Sequence, residues 1–380
     1  MQREDRLVSQ IIGERVAVDL EALVRPSARA VGQYQRQAAP TETLPRTARL
    51  DWNESPYGAS PRAREAIARF DHAHRYPDIE ATELRDALGR YLGMPVEQIV
   101  AGAGLDDVFN TIAMLLIEPG DEVIISEPTF GLYRSLFSLH GATVTDVPLE
   151  TGFRLDVERL LAAIQPRTKL LIICNPNNPT GTLFDPIAIE RIAAEAGCLV
   201  AIDEAYAEFA GVAHVPLMTR YDNVAVLRTM SKFAGLAGLR VGYGAFPEQL
   251  MPHLRRVMPA FCNISAISAA AAVASLEDTP HLQAVVATIV ADRDALATAL
   301  HALAGVMPLP SATNFLLVRL PVVDAAPVVA ELARRGVFVR HFPRPDLGIA
   351  DCLRVTVGTP RENQIFLAEL ADVLQRGVSS

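Results

Sequence analysis

The sequence predicts an α/β fold: a large domain around a mostly parallel central sheet covered by helices, a smaller α+β domain at the carboxyl end, and an amino-terminal arm. Three observations predict it. From residue 99 to residue 245, short β-branched runs bounded by Gly, Pro or Asp alternate with helically spaced stretches, as in a parallel sheet buried on both faces. Beyond residue 305 the pattern changes to strand, helix, strand, strand, helix. Before residue 50, Pro26, Pro40 and Pro45 interrupt any long element. The expected divisions are an arm over 1–50, a large domain over 51–275 and a small domain over 276–380.

Taken in order, Leu50 to Pro61 carries turn chemistry in Asn53, Pro56, Gly58 and Pro61, and Arg62–Phe70 then has helical spacing. A second helix is expected over Glu80–Leu92, with Leu84, Ala87, Leu88 and Tyr91 on one face. Strands are expected at Glu122–Ile125, Thr143–Val147, Lys169–Cys174, Cys198–Ile202, Val224–Leu227 and Val241–Ala245. Helices fill the gaps, among them Asp106–Leu116, Gly131–His140 and Ile187–Ala196. The alanine-rich Ala266–Leu276 and a long helix, Thr279–Leu303, lead out of this domain. The small domain reads as Asn314–Arg319, Ala326–Arg335, Val337–Arg340, Cys352–Val357 and Arg361–Arg376.

Composition removes several classes of function. At 380 residues, half of them apolar, the chain can bury a large core, and two domains are favoured. A net charge of −9 with no block of like charges argues against nucleic acid or an anionic membrane as partner. No apolar run approaches the roughly 20 residues of a membrane span, and Met1–Arg6 is not followed by a signal-type segment. A soluble, cytoplasmic protein is expected. Cys174, Cys198, Cys262 and Cys352 form no Cys-x-x-Cys pair and read as small core residues in a reducing compartment. His72 and His74 have no further ligand cluster beside them, so no metal is expected.

The residues that carry chemistry fall where strands end, the edge at which open parallel sheets gather their ligands. Cys174-Asn175-Pro176-Asn177-Asn178-Pro179-Thr180-Gly181 follows a β-rich run. It reads as a proline-rich turn, and Asn178 can donate a side-chain hydrogen bond from it. Val200-Ala201-Ile202 then ends in Asp203, with Tyr206 three residues on. An acid there is as often a helix cap. A buried carboxylate would also keep the ring nitrogen of pyridoxal phosphate protonated, and a phenol would tune the acidity at the ring hydroxyl. Next come Thr229, Ser231 and Lys232, with Arg240 eight residues later. Lys232 suits an aldehyde cofactor held as a Schiff base, while hydroxyls and a guanidinium suit its phosphate. Gly102-Ala103-Gly104-Leu105-Asp106 precedes a helical stretch, where backbone N–H groups make an anion site or simply a turn. Phe130, after Pro128-Thr129, could stack on a pyridine ring or belong to the core.

The order Asn-Pro-x-Gly, Asp-x-x-Tyr, Ser-Lys and a later Arg resembles the fold-type I, class I/II pyridoxal-phosphate aminotransferases over nearly the whole chain. Within them, Asp51-Trp52-Asn53-Glu54-Ser55-Pro56-Tyr57-Gly58, Arg75-Tyr76-Pro77-Asp78, Arg228 through Gly242 and Cys352 through Thr359 are similar to histidinol-phosphate aminotransferases. That resemblance implies a homodimer in which Tyr76 reaches the neighbouring subunit's cofactor phosphate. It implies that Arg354 binds the carboxylate of glutamate and helps with the substrate phosphate, assisted by Arg340, Tyr34 and Asn53. It also implies ping-pong transamination of histidinol phosphate with 2-oxoglutarate, in histidine biosynthesis. The rivals are an aminotransferase of aromatic amino acids or of specialised metabolism, and an O-phosphothreonine decarboxylase. Leu105, Asp107 and the stretch Phe261-Cys262-Asn263-Ile264 depart from the family pattern, and all three departures touch the substrate side.

Overall fold

A computed structural model describes residues 19–31, 48–258 and 264–376. Its largest sheet contains β2 (Ile99–Ala103), β3 (Glu122–Ile125), β4 (Thr143–Asp146), β5 (Thr168–Cys174), β6 (Leu199–Asp203), β7 (Val224–Thr229) and β8 (Val241–Ala245), in the spatial order β2-β8-β7-β6-β5-β3-β4. All neighbouring pairs are parallel except those made by β8, which runs antiparallel to both β2 and β7. Four more strands, β12 (Arg340–His341), β13 (Cys352–Thr356), β10 (Phe315–Arg319) and β9 (Met307–Pro308), form an antiparallel sheet in that order. The last pair is parallel, joining β1 (Ala48–Arg49) to β11 (Val337–Phe338).

The parallel strands are apolar on both faces because both faces are covered. Val123, Ile125, Leu170, Ile172, Leu199, Ala201, Ala225 and Leu227 join a core with Val108, Phe109, Ile112, Tyr133 and Phe137 of helices Leu105–Leu116 and Leu132–Leu139. The alternate residues Ile124, Leu171, Ile173, Val200, Ile202, Val224 and Val226 face the opposite way, onto Ile189 and Ile192 of helix Pro186–Glu195. Each fully buried Val, Leu, Ile or Phe among them contributes about 1.5–3 kcal/mol, so the two-sided pattern far outweighs the weak propensity of any single run. β4 is the exception: it lies at the sheet edge and is only partly buried.

Helix Thr279–His301 belongs to two cores. Leu282, Val285 and Ile289 pack in the first, while Leu296 and Leu300 pack with Leu316, Val318, Leu353, Val355 and Phe366 around the antiparallel sheet. The run Val337–Arg340, expected as one strand, is two. Val337–Phe338 pairs with β1, whereas Arg340–His341 pairs with β13, and the chain changes partner at the buried Val339. Ile99–Ala103, whose second half is only Ala-Gly-Ala, is also a strand. Among the described residues, no helix is long and apolar enough to cross a membrane.

Candidate active site

The topology brings several chain segments to one edge. β5, β6 and β7 are parallel and in register, with Cys174 opposite Asp203, so their carboxyl ends share that edge. Because β8 is antiparallel, its first residue Val241 lies beside Ala103, the last of β2. Arg240, Gly104, Asp203, Asn178 and Lys232 therefore meet although they are far apart in sequence.

Lys232 follows β7 after Met230, whose N–H bonds the Val241 carbonyl. Its Nζ donates to the Trp52 carbonyl at 2.9 Å. The side chain is half-buried. Burial, with Arg354 and Arg240 nearby, lowers the amine to about 8. That is the state a lysine needs to attack a carbonyl near neutral pH.

Asp203 is 3% exposed. Its Oδ1 accepts the Ala205 N–H at 3.0 Å, and its Oδ2 accepts the Tyr133 hydroxyl. Burial pushes the carboxyl up to about 6, against the two hydrogen bonds, which favour the charged form. The next residue, Glu204, takes Arg228 Nη2 at 2.6 Å and His214 Nδ1 at 2.7 Å, which ties the ends of β6 and β7 together.

Tyr206 is buried, and its hydroxyl accepts Asn53 Nδ2 at 2.9 Å and Asn178 Nδ2 at 3.4 Å. Burial raises this phenol, opposed by Arg354 and by the Asn53 bond. Asn53 thus points its amide at the phenol, while its backbone N–H reaches Thr356 Oγ1 at 2.9 Å and its carbonyl accepts Asn314 Nδ2 at 3.0 Å. Arg354, on β13, donates to Asn178 Oδ1 at 2.7 Å and to the Asp51 carbonyl at 2.6 Å, with its guanidinium 5.3 Å from the Phe315 ring centre. Arg340 is directly opposite Arg354 in the β12–β13 register.

A second cluster surrounds the start of helix Leu105–Leu116. Gly104 precedes it with φ +89°, and a Cβ there would come within 2.3 Å of Arg240 Nη2. Gly242 is constrained as well: a Cβ on it would meet Gly104 C and Leu105 N at 2.2 Å. The Thr229 and Ser231 hydroxyls lie 2.9 Å apart, and Arg240 Nη2 is 3.6 Å from Asp106 Oδ2. These two glycines leave the backbone N–H groups of Leu105 and Asp106, the two hydroxyls and the guanidinium on one side, a donor set suited to a phosphate. Phe130 is half-buried, edge-on to Tyr133 at 5.5 Å between ring centres.

Tyr76 stands at the surface, 87% exposed. Tyr34 lies outside the described residues, as do Phe261, Cys262 and Asn263. The Trp52 and Asp51 carbonyls, Asn314, Thr356 and Tyr133 are at the site without having been expected there. Backbone carbonyls leave no mark in a sequence, and Tyr133 reads as a core residue of an apolar helix face.

A mostly parallel sheet with a lysine, a buried carboxylate and a phosphate-shaped donor set at its carboxyl edge is the arrangement of fold-type I pyridoxal-phosphate enzymes. The chain belongs to the family of class I and II aminotransferases, whose family model, "Aminotransferase class I and II", matches residues 47–370. It is 42% identical over 371 residues to a histidinol-phosphate aminotransferase of Roseiflexus castenholzii, covering 93% of this chain and 99% of that one. A histidinol-phosphate aminotransferase of Dehalococcoides mccartyi is 37% identical over 357 residues, with coverage of 93% and 99%. Among solved structures, the histidinol-phosphate aminotransferase of Sinorhizobium meliloti in complex with pyridoxal-5'-phosphate superposes with a TM-score of 0.84 at 28% identity, covering 95% of this chain and 99% of that one.

Proposed function

We propose that the protein is a pyridoxal-phosphate-dependent transaminase that moves the amino group of L-histidinol phosphate to 2-oxoglutarate, releasing imidazole-acetol phosphate and glutamate. One observation carries the reading. A half-buried amine poised near neutral pH, a buried carboxylate and a buried phenol gather at the carboxyl edge of the large sheet, and Asn178 ties that phenol to Arg354, which lies opposite Arg340 on the antiparallel sheet. The histidinol-phosphate aminotransferases that the chain matches over almost their full length support the choice of donor.

The residues fit the cofactor. Lys232 would bind its aldehyde carbon, Asp203 its ring nitrogen, and Tyr206 with Asn178 its ring hydroxyl. Phe130 would cover one ring face. Thr229, Ser231, Arg240 and the N–H groups that follow Gly104 would hold its phosphate. Bound there, the cofactor supplies an electron sink and a carrier for the amino group. Lys232 Nζ is then the base that takes the proton from the amine-bearing carbon of the donor.

Arg354 donates to Asn178 Oδ1 and to the Asp51 carbonyl, with Phe315 against its guanidinium, and its fixed positive charge suits an anion. It would bind the carboxylate of glutamate in one half-reaction and the phosphate of histidinol phosphate, together with Arg340, in the other. Asn53 holds the phenol of Tyr206 and would reach substrate only across it. Tyr34 would complete the substrate pocket from the arm.

The reading includes a cytoplasmic homodimer in which Tyr76 contributes to the partner's phosphate site. In keeping with a subunit contact, Trp52, Tyr57, Tyr76 and Ile79 are exposed on one stretch of chain. The deciding experiment is a panel of donors with 2-oxoglutarate: histidinol phosphate, phenylalanine, tyrosine and phosphothreonine. The expected result is the highest kcat/KM with histidinol phosphate. Turnover of aromatic acids with none of histidinol phosphate, or release of carbon dioxide without 2-oxoglutarate, would overturn it.

A further inference from the structure

We propose that Tyr133 is a positioning residue that sets the basicity of Asp203, so that a proton shared between this carboxylate and the cofactor's ring nitrogen stays on nitrogen. The proposal rests on the cofactor reading above and deepens it.

The geometry separates the ring of Tyr133 from its hydroxyl. The ring needs no hydroxyl to pack: it is 1% exposed, 5.1 Å from the Phe109 centre and 5.5 Å from Phe130. On helix Leu132–Leu139 it shares the buried face with Phe137, four residues on. A phenylalanine would satisfy every one of those contacts. The hydroxyl has a different purpose. It spans 70 residues of sequence to donate to Asp203 Oδ2, while Oδ1 takes the Ala205 N–H. Each oxygen keeps a lone pair for an incoming donor.

Burial makes the Asp203 carboxylate a stronger base than an ordinary aspartate. A stronger base would draw the proton off a pyridine nitrogen, leaving a neutral ring that withdraws electrons poorly. Each hydrogen bond donated to the carboxylate acts in the other direction. The Tyr133 phenol is a dependable donor, since burial and the adjacent Asp203 charge hold its own proton well above the ordinary tyrosine range. The same side chain braces Phe130, so one residue would fix both the face and the nitrogen edge of the ring.

The test is made on the holoenzyme carrying cofactor labelled with ¹⁵N at the ring nitrogen. In Tyr133→Phe, the nitrogen resonance is expected to move toward that of neutral pyridine. Its kcat should fall about tenfold, the equivalent of one unit of carboxylate basicity, with KM for the donor little changed; the apo-protein's thermal midpoint should drop only modestly, because Asp203 keeps the Ala205 N–H. A ¹⁵N resonance identical to wild type would overturn the proposal, even if activity fell, because the residue would then only pack. Incorporating 3,5-difluorotyrosine at position 133 makes a stronger donor without altering the fold, and it should move the resonance the opposite way. No movement there overturns the proposal whether or not the phenylalanine variant folds. Failure of the underlying reading looks different: the wild-type protein would take up no cofactor at all.

Discussion

Asn178 joins Tyr206 to Arg354: its Nδ2 lies 3.4 Å from the Tyr206 hydroxyl, and its Oδ1 accepts Arg354 Nη1 at 2.7 Å. A single buried amide therefore spans the phenol proposed to face the cofactor and the guanidinium proposed to face the substrate. Replacing it disturbs both at once. In Asn178→Ala, a buried guanidinium loses an acceptor, which costs about 1–3 kcal/mol. Steady-state kinetics should show kcat/KM down roughly ten- to a hundredfold for both donor and 2-oxoglutarate. A loss confined to one of them would show that the amide does not couple the two sides.

Lys232→Ala should abolish turnover, with kcat down by at least about 10⁴-fold if the amine is both anchor and base, and the visible absorbance of the lysine-bound cofactor should vanish. The apo-protein should show the reverse trend in stability. With its folded value lowered to about 8, the amine binds fewer protons folded than unfolded between pH 8 and the ordinary lysine value. Its cost to the fold is therefore full below pH 8 and fades as pH rises. Differential scanning calorimetry should find the variant's midpoint at or above wild type at pH 7, with the gap closing toward pH 10. A midpoint clearly below wild type at pH 7 would refute the buried-amine cost.

Cofactor uptake follows the same group. Wild-type apo-protein mixed with pyridoxal phosphate should bind faster as pH rises through about 8, because the neutral amine is the nucleophile. A rate flat from pH 7 to 9 by stopped-flow absorbance would contradict the assignment.

Gly104→Ala and Gly242→Ala should differ in kind. The first places a Cβ against the end of a flexible side chain, Arg240, at φ +89°. Its main effect should be weaker cofactor binding, with a stability cost of about 1–3 kcal/mol. The second forces a Cβ into the Gly104–Leu105 backbone, which cannot step aside, so loss of the folded protein is the larger effect. Equal thermal midpoints for the two variants would be contrary to this account.

Arg340→Ala and Arg354→Ala should separate the two substrates. Loss of Arg340 should raise KM for the phosphorylated donor roughly tenfold or more, a charge-assisted bond being worth about 1.5–3 kcal/mol, and leave glutamate nearly unaffected. Loss of Arg354 should weaken both. Identical profiles for the two variants would remove the basis for dual use.

The large sheet was legible because its strands are short apolar runs, rich in β-branched residues and buried on both faces, as Leu170–Cys174 and Leu199–Ile202 illustrate. Asp203, Tyr206 and Lys232 were legible because they closely follow such runs, and Arg240 because it directly precedes one, Val241–Ala245. β1 and β9 were not, since two-residue strands such as Ala48–Arg49 exist only through their partners. The change of partner at Val339 depends on the same kind of long-range pairing. Tyr133 was hidden for another reason: its helix face explains the ring completely, and only the fold reveals what the hydroxyl touches. Asn53 announced itself by motif, but its direction, toward Tyr206, came from a backbone turn at φ +54°.

The segment Ala48–Trp52 is a tether with its two ends in different places. Ala48 and Arg49 are laced to β11, and Leu50 accepts the Thr356 N–H of β13. Immediately afterwards, the Trp52 carbonyl receives the Lys232 amine. A displacement of the antiparallel sheet relative to the large one would be delivered along this short length of backbone to the Lys232 amine itself. The hydrogen bond at Lys232 would act as a strain gauge, loosening as the two sheets part and seating again as they close.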